Sequence, residues 1–71
     1  MQPQYIGITI NGEPKQVPGD QSVYELLQHL QIQADRVAVE LNKSIVRKRD
    51  WEQTAITEGS YLEIVEFVGG G

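Results

Sequence analysis

The sequence contains no cysteine. That excludes disulfide staples, a thiolate zinc site and a cysteine nucleophile within the chain itself. Long apolar runs are also missing, and none approaches the ~20 residues that cross a bilayer. The opening residues Met1-Gln2-Pro3-Gln4 carry neither the basic nor the apolar stretch of a secretion signal, so a cytoplasmic location is the expectation. Positive charge is scarce. Six Lys and Arg stand against ten Asp and Glu, and the net charge of −4 disfavours attraction to nucleic acid or to an anionic lipid surface.

Catalytic patterns are absent as well. There is no P-loop, no GxGxxG, no Ser/His/Asp set and no metal-ligand spacing. The carboxylates are scattered among surface positions, which gives no support to a glycosidase-like pair. The one histidine, His29, has no second ligand or acidic partner at a useful spacing and reads as a surface residue without a role. A chain of 71 residues makes a single domain with one small core, and it is expected to lack a cleft of several hundred Å3. The protein reads as something acted upon, without a catalytic, metal or cofactor site of its own.

What is present begins with a hairpin. Ile6, Ile8 and Ile10 alternate along one face of a strand, Asn11-Gly12 supplies the pair suited to a type I′ turn, and Glu13 to Val17 returns. Pro14 cannot donate a ladder hydrogen bond, so the second strand belongs at a sheet edge. Ser22, with Glu25 three residues on, is a capping box that starts a helix. Val23, Leu26, Leu27 and Leu30 form its apolar stripe. Val37, Val39 and Leu41 mark a third strand, Asn42-Lys43 a turn, and Ser44 to Val46 a short fourth strand. Asp50 is placed as the cap of a brief helical turn through Trp51 and Glu52. Trp51 is expected to cover one end of the core with its indole N–H bonded to a carbonyl or water, Ala55 and Ile56 adding satellite packing. Glu58-Gly59 then turns into the last strand.

That strand, Tyr61 to Val68, runs directly into Gly69-Gly70-Gly71. Leu62 and Ile64 share one face, whereas Val65 and Phe67 share the other with Tyr61 and Glu63. Apolar residues on both faces imply that something besides the helix covers the second one. The glycines make a thin end with no Cβ to block passage into another protein's active site. The division expected is a domain over residues 1–68 and a flexible tail over 69–71. The basic residues Lys43, Arg47, Lys48 and Arg49 cluster locally and read as a solvated loop, with a phosphate or an acidic partner as the alternative contact.

A terminal carboxylate is a poor electrophile until it is joined to a nucleotide phosphate as a mixed anhydride, a step that needs an enzyme holding ATP and Mg²⁺. The element order with a terminal Gly-Gly resembles the ubiquitin-like β-grasp proteins. Ile10-Asn11-Gly12, Val23 to Leu27, Val37 to Asn42, Ile45-Val46, Trp51 and the run from Gly59 to Gly71 resemble the ThiS family, the sulfur carriers of thiamin biosynthesis. The likeness covers nearly the whole chain. One departure is Ser60, where the family often has an acidic residue.

The resemblance implies an α+β fold, with a mixed sheet of four to five strands packed on one main helix. It implies that an E1-like, ThiF-type adenylyltransferase uses ATP and Mg²⁺ to activate the Gly71 carboxylate. A cysteine desulfurase route then supplies sulfur to make a thiocarboxylate, and a ThiG-type thiazole synthase takes that sulfur up. Gly71 would carry the reactive carbonyl, Gly69 and Gly70 would thread the partner's channel, and Val65, Phe67 and Val68 would form the docking patch. Two other readings stand beside it. One is a sulfur carrier for molybdopterin or tRNA thiolation, and the other is a β-grasp binding module whose basic residues touch RNA or a nucleotide.

Overall fold

The computed structural model describes residues 4–67. Strand β1 (Tyr5–Ile10) and strand β2 (Glu13–Pro18) form the opening hairpin, paired from Tyr5↔Pro18 to Ile10↔Glu13. The turn has φ of 51° at Asn11 and 83° at Gly12, the two left-handed residues of a type I′ turn. Pro14 lies on β2, which is an outer strand of the five-stranded sheet as its missing N–H requires.

A two-residue strand β3 (Gln21–Ser22) leads into helix α1 (Val23–His29). Both halves of the capping box are made: Ser22 Oγ accepts from the Glu25 N–H at 3.1 Å, and Glu25 Oε1 accepts from the Ser22 N–H at 2.9 Å. The cap contributes about 1 kcal/mol. A seven-residue helix is too short to hold by propensity. Burial of Val23, Leu26 and Leu27 at 1% exposure or less therefore carries it. Leu30 terminates the helix and is only half-buried.

Strands β4 (Val37–Leu41) and β5 (Ser44–Val46) make a second hairpin through Asn42 and Lys43, again both left-handed, at φ 52° and 72°. A 3-10 helix (Lys48–Gln53) follows, then strand β6 (Ala55–Ile56) and strand β7 (Tyr61–Glu66). The main sheet has the order β2-β1-β7-β4-β5. Strand β7 is parallel to β1 and antiparallel to β4, so the first and last strands of the chain lie side by side at the centre of the sheet. Ile8, Ile10, Val39 and Leu62 face α1 and join Trp51 and Ile56 in one core.

Three expectations are corrected here. Asp50 does not cap the 3-10 helix: Arg47 stands at its N-terminus without a side-chain cap, and the Asp50 carbonyl instead accepts from Thr54 Oγ1 at 2.7 Å. Ala55 and Ile56 are more than satellite packing, since they pair with Ser22 and Gln21 in a separate two-stranded sheet and Ile56 is 2% exposed in the main core. Surface concavities of several hundred Å3 also exist despite the small size, as described below. Ser60 is nearly buried and closes a turn, its Oγ accepting from the Thr57 N–H at 3.1 Å. A hydroxyl suits that position where a buried carboxylate would carry a desolvation cost.

Candidate functional site

Strand β7 divides its side chains as the alternation requires. Leu62 is fully buried and Ile64 half-buried against the core. On the opposite face Val65 is 60% exposed, Phe67 55% and Tyr61 41%. Cross-strand register extends this outer face over the neighbouring strands. Val65 lies opposite Ala38, Glu63 opposite Glu40, and Glu40 opposite Ile45, which is 74% exposed. Thr9 and Tyr61 align on the β1 side.

Exposed apolar side chains thus form a band around a pair of facing carboxylates. An open groove of about 430 Å3 runs through it, lined by Glu40, Asn42, Lys43, Tyr61 and Glu63. Tyr61 and Ile45 were not singled out from the sequence as contact residues. Alternation within the last strand already puts Tyr61 on this face, whereas Ile45 joins it only through the register of β5 on β4 and β4 on β7.

Side chains as well as neighbouring strands hold β7. Where β7 begins, Asn42 Oδ1 accepts from the Tyr61 N–H at 2.9 Å, and the Asn42 N–H donates to the Tyr61 carbonyl at 2.7 Å. Farther along, Asn11 Oδ1 accepts from the Ile64 N–H at 2.8 Å, and Asn11 Nδ2 donates to the Ile64 carbonyl at 3.2 Å. At the exit, the Phe67 N–H donates to the Arg36 carbonyl at 2.7 Å. Of the predicted site residues, Val65 and Phe67 are brought together on the outer face; Val68, Gly69, Gly70 and Gly71 lie outside the described residues.

Of the basic residues, one lines the outer-face groove and three follow one another at the start of the 3-10 helix. Lys43 lines the groove beside Glu40 and Glu63. Lys48 Nζ donates to Asp35 Oδ1 at 2.9 Å. That hydrogen bond, reinforced by the lysine charge, holds the Asp35 carboxyl below its ordinary range. Arg47, just before the 3-10 helix, and Arg49 within it are both exposed. His29 is exposed at the end of α1. Among the described residues no three His, Asp or Glu side chains gather in a way that would hold a metal ion, and no helix is long and apolar enough to cross a membrane.

A five-stranded mixed sheet packed on one helix, with a last central strand that leads into a glycine end, defines a ubiquitin-like β-grasp protein. The sequence model of the ThiS family matches residues 8–71, and the chain belongs to that family. A crystal structure of the thiamine biosynthesis protein ThiS from Geobacter metallireducens superimposes with a TM-score of 0.80 at 36% identity, covering 93% of this chain and all of that one. The chain is 28% identical over 64 residues to the sulfur carrier protein ThiS of Escherichia coli, covering 90% of this chain and 97% of that one. It is 42% identical over 64 residues to a thiazole synthase of Paramagnetospirillum magneticum, where the match covers 90% of this chain but only 20% of the synthase.

Proposed function

We propose that this protein is a sulfur carrier for thiazole formation in thiamin biosynthesis, with the Gly71 carboxylate as its working group. The observation that carries the reading is the ThiS family match, which runs through residue 71 and so includes the glycine end. In the first step the Gly71 carboxylate attacks the α-phosphorus of ATP, pyrophosphate leaves, and an acyl-adenylate forms. The terminal sulfur of a persulfide made by a cysteine desulfurase then displaces AMP to give an acyl disulfide. A thiol cleaves its S–S bond, ending as a disulfide with the former persulfide carrier and leaving the sulfur on the Gly71 carbonyl. The resulting thiocarboxylate gives its sulfur to the thiazole. A ThiF-type adenylyltransferase with Mg²⁺ performs the activation, and a ThiG-type thiazole synthase consumes the sulfur.

Two features support this cycle over its rivals. A thiazole synthase contains a segment similar to this chain within a protein about five times as long, which favours the synthase as the partner and thiamin over molybdopterin or tRNA thiolation. The net charge of −4 argues against an RNA or nucleotide surface, and Lys48 of the basic run is engaged by Asp35. The outer face of β7 supports docking: Val65 and Phe67 are large, exposed and close to the exit of the chain.

The test is mass spectrometry of the protein incubated with a ThiF-type enzyme, ATP, Mg²⁺, a desulfurase with cysteine, and a thiol reductant such as dithiothreitol. The expected product has one oxygen replaced by sulfur, located at Gly71 by fragmentation. An unchanged mass under conditions that thiocarboxylate a known carrier would sink the proposal.

A further inference from the structure

Both tight turns that flank β7 place an asparagine in the left-handed region, and both asparagines use their side chains on β7. Their roles differ. Asn42 engages Tyr61 at the start of the strand, where antiparallel pairing with β4 follows directly. Asn11 acts where main-chain pairing stops. Parallel pairing of β1 with β7 covers Thr9↔Tyr61 and Ile10↔Leu62, and the Asn11 N–H adds a bond to the Leu62 carbonyl at 2.9 Å. The chain then turns away through Gly12. On this side of β7 the next main-chain groups are the Ile64 N–H and C=O, and the Asn11 amide takes both. A carboxamide has the donor and acceptor of a peptide unit, so it extends the β1 ladder by one rung without any further strand.

The turn itself does not need that amide, because glycine adopts the same φ at lower cost. The reach to a residue 53 positions away is therefore surplus to hairpin formation. What it secures is the last stretch before the chain leaves the sheet. With Asn11 on one edge at Ile64 and the Arg36 carbonyl on the other at Phe67, the exit is held from both sides. Resting on the sulfur-carrier reading, we propose that Asn11 is a positioning residue: its side chain locks Ile64 and thereby fixes the direction in which the chain departs toward the activating enzyme.

The variant that separates the roles is Asn11→Gly, which keeps the turn and deletes the amide. Backbone 15N relaxation of the free protein is expected to show order parameters at Ile64 to Phe67 falling from the rigid range near ~0.85 toward ~0.6, while those of β4 stay unchanged. Pyrophosphate release by a ThiF-type enzyme with ATP and Mg²⁺ is expected to show KM for the variant raised about threefold or more at unchanged kcat, since a smaller fraction of molecules presents the chain in the competent direction. Unchanged order parameters overturn the lock. Lowered order with unchanged KM overturns the positioning role and leaves Asn11 as a packing residue only. If Asn11→Gly fails to fold, Asn11→Asp tolerates the same φ, keeps the acceptor for the Ile64 N–H and loses the donor, and the same two readouts decide. If the wild type is never adenylated, the sulfur-carrier reading falls instead. The order parameters then judge the lock alone, a drop upholding it and no change removing it.

Discussion

Trp51 combines two contributions that a smaller side chain could not supply together. It fills the end of the core at 2% exposure, and its Nε1–H donates to the Val46 carbonyl at 2.9 Å, tying the 3-10 helix to the end of β5. Trp51→Phe removes the donor and part of the volume, with an expected cost of about 1–3 kcal/mol. A chain of this length has roughly 4–10 kcal/mol of stability in all, so the loss is large. Urea unfolding followed by circular dichroism should show a lower midpoint at unchanged m-value. The Asp35–Lys48 pair is the opposite case. Both side chains are exposed, and such pairs are screened by water and salt. Lys48→Met should leave the midpoint at neutral pH unchanged. Because folding lowers the Asp35 pKa, whatever the pair contributes is present above the unfolded value and fades as pH falls through the folded one. Any advantage of the wild type over Lys48→Met should therefore begin to fade near about pH 4 and be gone only once the pH is below the lowered folded value. A difference that grows in acid would contradict the assignment.

At the scale of elements, β7 has one face that builds the fold and one that does not. Phe67→Ala removes exposed surface at the strand's exit and should change stability by less than about 0.5 kcal/mol. If the outer face is the docking surface, the same substitution should weaken binding to the activating enzyme about tenfold or more, as loss of an aromatic anchor does. Isothermal titration beside thermal unfolding separates the two, and a collapse of stability with affinity intact would make Phe67 a core residue. Glu40 and Glu63 face each other across β4 and β7 with like charge. Glu63→Gln is accordingly expected to stabilise the free protein by up to about 1 kcal/mol, read from the same urea curves. Much of this architecture could be read from the chain because the signals were local. Asn11-Gly12, the Ser22–Glu25 box and the Ile6-Ile8-Ile10 alternation each act within a few residues, and all three elements formed as expected. The missed features were non-local or too short for periodicity. Strands of two residues leave no pattern, so the pairing of Gln21-Ser22 with Ala55-Ile56 was invisible. Asp50 has the right chemistry for a cap, but the chain enters the 3-10 helix earlier, at Lys48. The amides of Asn11 and Asn42 were legible as turn residues but not as clamps on β7, because that depends on which strand lies beside the turn.

For the molecule as a whole, the fold brings β7 to the centre of the sheet, flanked by β1 and β4, so that residues 68–71 follow a strand paired on both sides and not an edge strand. Gly71 is the fourth residue after the anchored Phe67, a reach of at most about 14 Å when extended. On the proposed reading, recognition by the outer face and reaction at Gly71 are separable: the face measures affinity, and the terminal carboxylate alone is consumed. Appending one alanine after Gly71 turns that carboxylate into an amide carbonyl, which cannot attack ATP. The extended protein should unfold at the wild-type temperature, lose all oxygen-to-sulfur exchange, and still compete with the wild type for the activating enzyme with comparable affinity. Retained exchange at residue 71 would refute the terminal carboxylate as the working group. Lost competition would show that the free terminus, and not the face of β7, dominates recognition. The competition arm thus weighs the body of the domain against its last four residues.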